Sequence, residues 1–219
     1  MSYLMRVRLP DVPGTLGLVA ATLGTVDADI RSVDVVQSDE EGQVVDDIVV
    51  DLPAGRLADA LISAAQEVDG VYVDSIRPFS GTVDRRGQVG LLAEVARHRR
   101  RPVESLQKLM DTLPKTMSVQ WAVILSADES TRRVAASSSA PEDDGRVLSE
   151  TPVTEPRALT DRDDWVPESW TVMDSALAAT PLRGTDFILI VGRPGGPDFL
   201  LSEIDHLGEV GEILGALLS

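Results

Sequence analysis

Apolar and polar residues alternate over residues 5–9 (MRVRL), which predicts a strand with one face turned to a core. A turn of Asp11, Val12, Pro13 and Gly14 follows, then a helix of small residues, and a second alternating strand begins at Asp29 and Ile30. Residues 38–42 (SDEEG) form a hairpin loop, and residues 44–51 (VVDDIVVD) a third strand. Leu57, Ala60, Leu61, Ala64, Ala65 and Val68 recur at helical spacing, Gly70 ends that helix, and residues 71–76 close the unit as a strand. The order βαββαβ over residues 1–79 predicts an α+β, ferredoxin-like arrangement in which four antiparallel strands carry both helices on one face.

The pattern changes after residue 79. Residues 80–87 (SGTVDRRG) are polar and glycine-containing, and read as a linker to a second domain over 88–219. There, residues 89–101 and 103–113 give two helical segments broken at Pro102, followed after Pro114 by strands at 118–126 (SVQWAVILS) and 132–138 (RRVAASS). Residues 140–156 form an acidic, proline-containing loop, and 171–180 fit either helix or strand. Arg183, Gly184 and Thr185 make a turn before the strongly β run 186–192 (DFILIVG). A break at 193–197 (RPGGP) precedes a final helix over 198–218, with Ile204, Leu207, Val210, Ile213, Leu214 and Leu217 on its apolar side.

The first turn has chemistry of its own. Asp11 suits a helix N-cap, Pro13 tolerates the first helical turn because its missing N–H would be unpaired there, and Gly14 admits close approach to the backbone. Free N–H groups and the positive end of the helix dipole favour a carboxylate or phosphate at such a place; the alternative is a turn that only starts a helix.

With these residues in place, residues 1–79 resemble an ACT domain, the amino-acid-sensing module attached to many biosynthetic enzymes and regulators. The likeness rests on the first strand, the turn of Asp11, Pro13 and Gly14 with Leu16 following, the small-residue helix, and Asp29-Ile30 opening the second strand. It implies a ligand site shared with a neighbouring copy in a homodimer, at Asp11, Val12, Pro13, Gly14, Thr15, Leu16, Asp29 and Ile30. An amino acid there would set its carboxylate on N–H groups around Val12, Gly14 and Thr15, and its ammonium group near Asp29 or Asp11 of the partner. Ligand-binding members often open the second strand with Asn-Ile. Asp29 keeps an acceptor at that position, loses the amide donor and adds a negative charge.

Residues 88–219 resemble a GAF domain, a small-molecule sensory fold, on the order of elements and on the last strand and helix. The chain has no Cys to attach a bilin, and the Asn-Lys-Phe-Asp-Glu set of cyclic-nucleotide binders is not found. Trp121, Trp165 and Trp170 read either as pocket lining or as core.

Charge and chemistry narrow the function. With 20 Lys and Arg against 36 Asp and Glu, the net charge of −16 argues against nonspecific nucleic-acid or anionic-membrane binding. A basic run, residues 97–101 (RHRRR), and the acidic loop could attract each other or a protein partner. No run is long and apolar enough to span a membrane, no secretory signal pattern opens the chain, and zero cysteines suit a cytoplasmic location. His98 and His206 have no metal-ligand spacing, no phosphate-binding glycine loop occurs, and Ser137, Ser138 and Ser139 lack a nucleophile-elbow context. The adjacent pairs Asp46-Asp47, Asp143-Asp144 and Asp163-Asp164 suit solvation better than paired catalysis. The expectation is therefore a noncatalytic, small-molecule-responsive regulator without cofactor or metal. An interaction scaffold, and behind it a nucleic-acid-associated regulator, are the alternatives.

Overall fold

Alternation in β1 (Ser2–Pro10) places Met5, Val7 and Leu9 on one face, and there they meet Val19 and Leu23 of α1 (Thr15–Thr25) and Leu61, Ala64 and Ala65 of α2 (Asp59–Gln66). This is a computed structural model that describes residues 1–79, 85–98, 102–128, 130–145, 147, 153–160 and 162–219. The other strands of this sheet are β2 (Asp29–Ser38), β3 (Gln43–Asp51) and β4 (Tyr72–Pro78). Their order is β2-β3-β1-β4 and every pair is antiparallel, so β2 and β4 are the edges. Val44, Ile48 and Val50 of β3 share the helix-covered face. Each side chain of that size stabilises the unit by about 1.5–3 kcal/mol on burial.

Several local expectations change. The cap of α1 is Gly14 at φ +100°, with no side-chain hydrogen bond, so Asp11 is not the cap. Leu57 stands 73% exposed before α2 begins, and α2 stops at Gln66, short of Val68 and Gly70. Asp46 and Asp47 are not solvated: each is 2% exposed, on opposite faces of β3.

The chain divides into two units, Met1–Val83 and Asp84–Ser219. Most of the expected linker, residues 80–84, lies outside the described residues, while residues 85–87 already belong to α3 (Arg85–Arg97). After α4 (Pro102–Thr116) come β5 (Trp121–Ser126), β6 (Arg132–Ala136), β7 (Arg157–Leu159), the short α5 (Glu168–Thr171), β8 (Ala176–Leu182), β9 (Phe187–Arg193) and α6 (Leu201–Leu218). Residues 171–180 thus resolve into the end of α5 and most of β8. The helix α4 runs through Pro114, which sits in its last turn where only one helical bond is forgone.

The second sheet has the order β6-β5-β9-β8-β7, antiparallel throughout. Leu106, Leu109, Met110 and Leu113 of α4 and Leu207, Val210 and Leu214 of α6 cover one face together with α3. Trp121, Val153, Leu159 and Trp170 belong to the core on the other face. Cover on both faces explains why β5 and β9 are apolar without alternation. Arg193, wholly buried at the end of β9, donates to the Ser118 carbonyl (3.2 Å) and the Pro197 carbonyl (3.1 Å), pairs with Glu203 of α6 (2.6 Å) and lies 4.2 Å from the Phe199 ring centre. No helix among the described residues is long and apolar enough to cross a membrane.

Candidate functional site

The turn between β1 and α1 uses some of its own donors. The Val12 N–H donates to the Pro10 carbonyl (2.9 Å), the Thr15 N–H to the Val12 carbonyl (3.2 Å) and the Asp11 N–H to the Gly42 carbonyl (2.8 Å). Val12 and Thr15 therefore have no N–H left for a ligand. The N–H groups of Gly14, Leu16 and Gly17 have no hydrogen-bond acceptor among the described residues. Asp11, Val12, Pro13 and Gly14 are exposed, Thr15 is buried, and Leu16 is half-buried against the first core. The left-handed φ of Gly14 sets the direction in which the chain enters α1, a conformation that glycine adopts without strain.

Asp29 and Ile30 lie elsewhere. Asp29 pairs with Asp51, which pairs with Ser2, at one end of the sheet, whereas Pro10 pairs with Gln43 at the other. A strand of that length spans roughly 25 Å, so a single chain does not bring Asp29 to the turn. Ile30 packs into the first core, and the exposed Asp29 carboxylate is 3.8 Å from Arg31.

Asp46 belongs near the turn and was not among the expected site residues. It sits on the helix-covered face, opposite Val7 on one side and Val35 on the other. Its Oδ1 is buried without a hydrogen-bond partner. Burial first, and then the carboxylates of Asp47, Asp11 and Asp34, push its pKa up to about 6. The signal in the sequence was parity: Val44, Asp46, Ile48 and Val50 fall on one face of β3, so a strand buried on that face must bury Asp46.

In the second unit, Thr131, Arg133, Asp143, Asp144, Trp165 and Trp170 border a small cleft of about 30 Å³, room for ordered water. Trp170 packs edge-on against Trp121 at 5.7 Å and against Trp165 at 6.4 Å. Trp121 and Trp170 are therefore core, and the half-buried Trp165 is the one that edges the cleft. Its Nε1 donates to Asp163 (3.3 Å), which also accepts from Arg157 (2.5 Å) and the Thr160 N–H (2.8 Å). Hydrogen bonding from Arg157 leads the effects that hold the Asp163 carboxyl down at about 2.

The residues weighed for catalysis have structural partners. Ser137 Oγ accepts the Ala122 N–H (3.0 Å), and His98, one residue past α3, lies 3.3 Å from Glu94 and 3.2 Å from Lys108. His206 is 3.6 Å from Glu209. No group of three or more His, Cys, Asp or Glu able to hold a metal ion is found among the described residues. Arg99, Arg100 and Arg101 of the basic run, with part of the acidic loop, lie outside the described residues.

Compared by sequence, the chain matches no family profile and no curated protein. Solved structures similar to it in fold include the phycoerythrobilin-bound GAF domain from a cyanobacterial phytochrome, at 11% identity and a TM-score of 0.47 over 60% of this chain and 93% of that one. The GAF domain from an Acinetobacter phosphoenolpyruvate-protein phosphotransferase aligns at 16% identity and a TM-score of 0.46, over 60% and 92%. Free methionine-R-sulfoxide reductase from Neisseria meningitidis, in complex with its substrate, aligns at 12% identity and 0.45, over 64% and 95%. The likeness is one of fold alone.

Proposed function

We propose that this chain is a noncatalytic, small-molecule-responsive regulator whose first unit is ACT-like and binds an amino acid where α1 begins, and whose second unit is a GAF-like sensory module. The observation that carries the reading is the turn itself: a left-handed Gly14 and three N–H groups, at Gly14, Leu16 and Gly17, that find no acceptor among the described residues, at the positive end of a helix without a side-chain cap. Such a place favours a carboxylate.

A homodimer fits the same geometry. The edge strand β2 runs parallel to β1, so a second copy paired antiparallel along β2 would bring its own Asp29 to the end where the turn lies. Of the two alternatives for the ammonium group, this pairing would present the partner's Asp29 to a ligand at the turn. Ligand that prefers one packing of the pair shifts that equilibrium by its difference in affinity for the two arrangements.

The test is a melting series against the twenty amino acids and common nucleotides. Ligand at about a hundred times its dissociation constant adds roughly 2.7 kcal/mol, which moves a transition by several degrees. We expect one or a few amino acids to raise the midpoint selectively, and Gly14→Asp to remove that response. That substitution puts a side chain at φ +100° in open space, so it costs on the order of 1–2 kcal/mol of strain without a clash. A wild-type response in Gly14→Asp would take the turn out of the site, and no response to any amino acid would overturn the reading.

A further inference from the structure

The carboxyl of Asp46 and the hydroxyl of Ser32 are the described side chains of the first unit with a buried polar atom that no partner satisfies, and of the two only Asp46 can carry a charge. It is 2% exposed, and its Oδ1 has no hydrogen-bond partner among the described residues. A buried acceptor in that condition costs free energy unless something donates to it. The chain supplies no cation on the adjoining helix, since α1 (TLGLVAATLGT) carries no charged side chain. The charged groups around it are Asp11 from the turn, Asp34 from β2 and Asp47 beside it on β3, with Arg6 of β1 already held by Asp47 at 2.8 Å on the opposite face of the sheet. The field at Asp46 is therefore negative.

Access is short. Val35, directly opposite Asp46 on the edge strand, is 56% exposed, and Val33 beside it is 37% exposed. Asp11, close enough to act on the Asp46 carboxyl, opens the turn whose N–H groups are free. Two halves of a recognition site lie toward the same end of the sheet: N–H donors without acceptors at the start of α1, for an anion, and a buried acceptor three residues along β3 from Gln43, the partner of Pro10, for a cation.

We propose that Asp46 receives the ammonium group of a bound α-amino acid whose carboxylate lies on the N–H groups of Gly14, Leu16 and Gly17. This rests on the reading of the turn as a ligand site and adds the group that selects a zwitterion. A bare carboxylate or phosphate would meet the helix terminus and also the repulsion of Asp11 and Asp46. An α-amino acid brings its own positive charge to the acceptor, and its net neutrality removes that repulsion.

The experiment measures melting at pH 7.5 for the full chain and for Asp46→Asn, with each of the twenty amino acids and with the N-acetyl derivative of each one that responds. The N-acetyl form keeps the carboxylate and loses the ammonium group. We expect the free amino acid to shift the wild-type midpoint, its N-acetyl form to bind at least tenfold more weakly, and Asp46→Asn to lose tenfold or more in affinity while melting no lower than wild type without ligand. Equal binding of the N-acetyl form, or full affinity in Asp46→Asn, would overturn the role of Asp46 and leave the turn standing if Gly14→Asp still abolishes the response. No shift with any amino acid would overturn both. The N-acetyl comparison uses wild-type protein, so it decides the matter even if the Asn variant folds poorly.

Discussion

Among individual residues, the clearest energetic commitment is Arg193. Its guanidinium is wholly buried, so removing it would take the paired cation from the Glu203 carboxylate and one donor from each of the Ser118 and Pro197 carbonyls. Glu203 also accepts the Leu200 N–H at 2.9 Å, at the start of α6, so the same carboxylate fixes that helix end. Breaking one partner of a buried pair costs about 3–5 kcal/mol. Arg193→Ala is expected to lower the stability of the second unit by that amount, read as a fall in the urea midpoint followed by tryptophan fluorescence. A loss under about 1 kcal/mol would mean that solvent reaches the pair and that it ties nothing together.

At the scale of elements, α6 shows how a helix is seated by what it lacks. A Cβ on Gly215 would stand 2.1 Å from the Arg183 carbonyl oxygen, and one on Gly211 would stand 2.9 Å from that of Pro181, so α6 touches the β8 end through bare backbone. Gly90 on α3 has nothing within 4 Å of such a Cβ and is exposed. Gly215→Ala should therefore destabilise the second unit by several kcal/mol, whereas Gly90→Ala should stabilise it by about 0.5–1 kcal/mol through helix propensity alone. Thermal unfolding of the two variants separates these causes, and matching midpoints would refute the close packing of α6. The sequence does show that α6 is helical with one apolar side, but not that its glycines are contacts, because a glycine stripe looks the same in a solvated helix. The same limit applies elsewhere. The run 186–192 announces β9 by composition, since both faces are covered. The three residues of β7 and the four of α5 are too short for any periodicity to register. In the candidate site, Asp11, Pro13 and Gly14 could be read from turn chemistry and Leu16 only from the resemblance, while the spending of the Val12 and Thr15 N–H groups depends on geometry that no residue type encodes. Asp46 was legible by parity, yet adjacent acids read as a solvated pair unless both faces of β3 are known to be buried.

Across the whole molecule, the two units should answer pH in opposite senses. Asp46 has a folded pKa raised to about 6 from an ordinary 3.8, so the folded first unit holds this proton more tightly than the unfolded chain does. Its contribution to stability is complete below pH 3.8 and is lost as pH rises through about 6, an effect on the order of 1–2 kcal/mol after solvent screening. Asp163 in the second unit has its folded pKa lowered to about 2, so its contribution is present above pH 3.8 and is lost as pH falls toward 2, again on the order of 1–2 kcal/mol. The chain carries its own reporters: Tyr3 and Tyr72 lie in the first unit, and Trp121, Trp165 and Trp170 in the second. Between pH 7 and pH 4.5 the tyrosine-detected midpoint should rise relative to that of Asp46→Asn, with the tryptophan-detected midpoint held nearly level. Below pH 4 the tryptophan-detected midpoint should fall, and Asp163→Asn should be less stable than wild type at pH 7 while losing less of its stability on acidification. Parallel movement of both signals across the whole range, unchanged by either substitution, would show that neither carboxyl controls the unit that contains it. A rise confined to the tyrosine signal would also tie the first unit's stability to the carboxyl proposed to bind ammonium, so that acidification would strengthen that fold while weakening its hold on an amino acid.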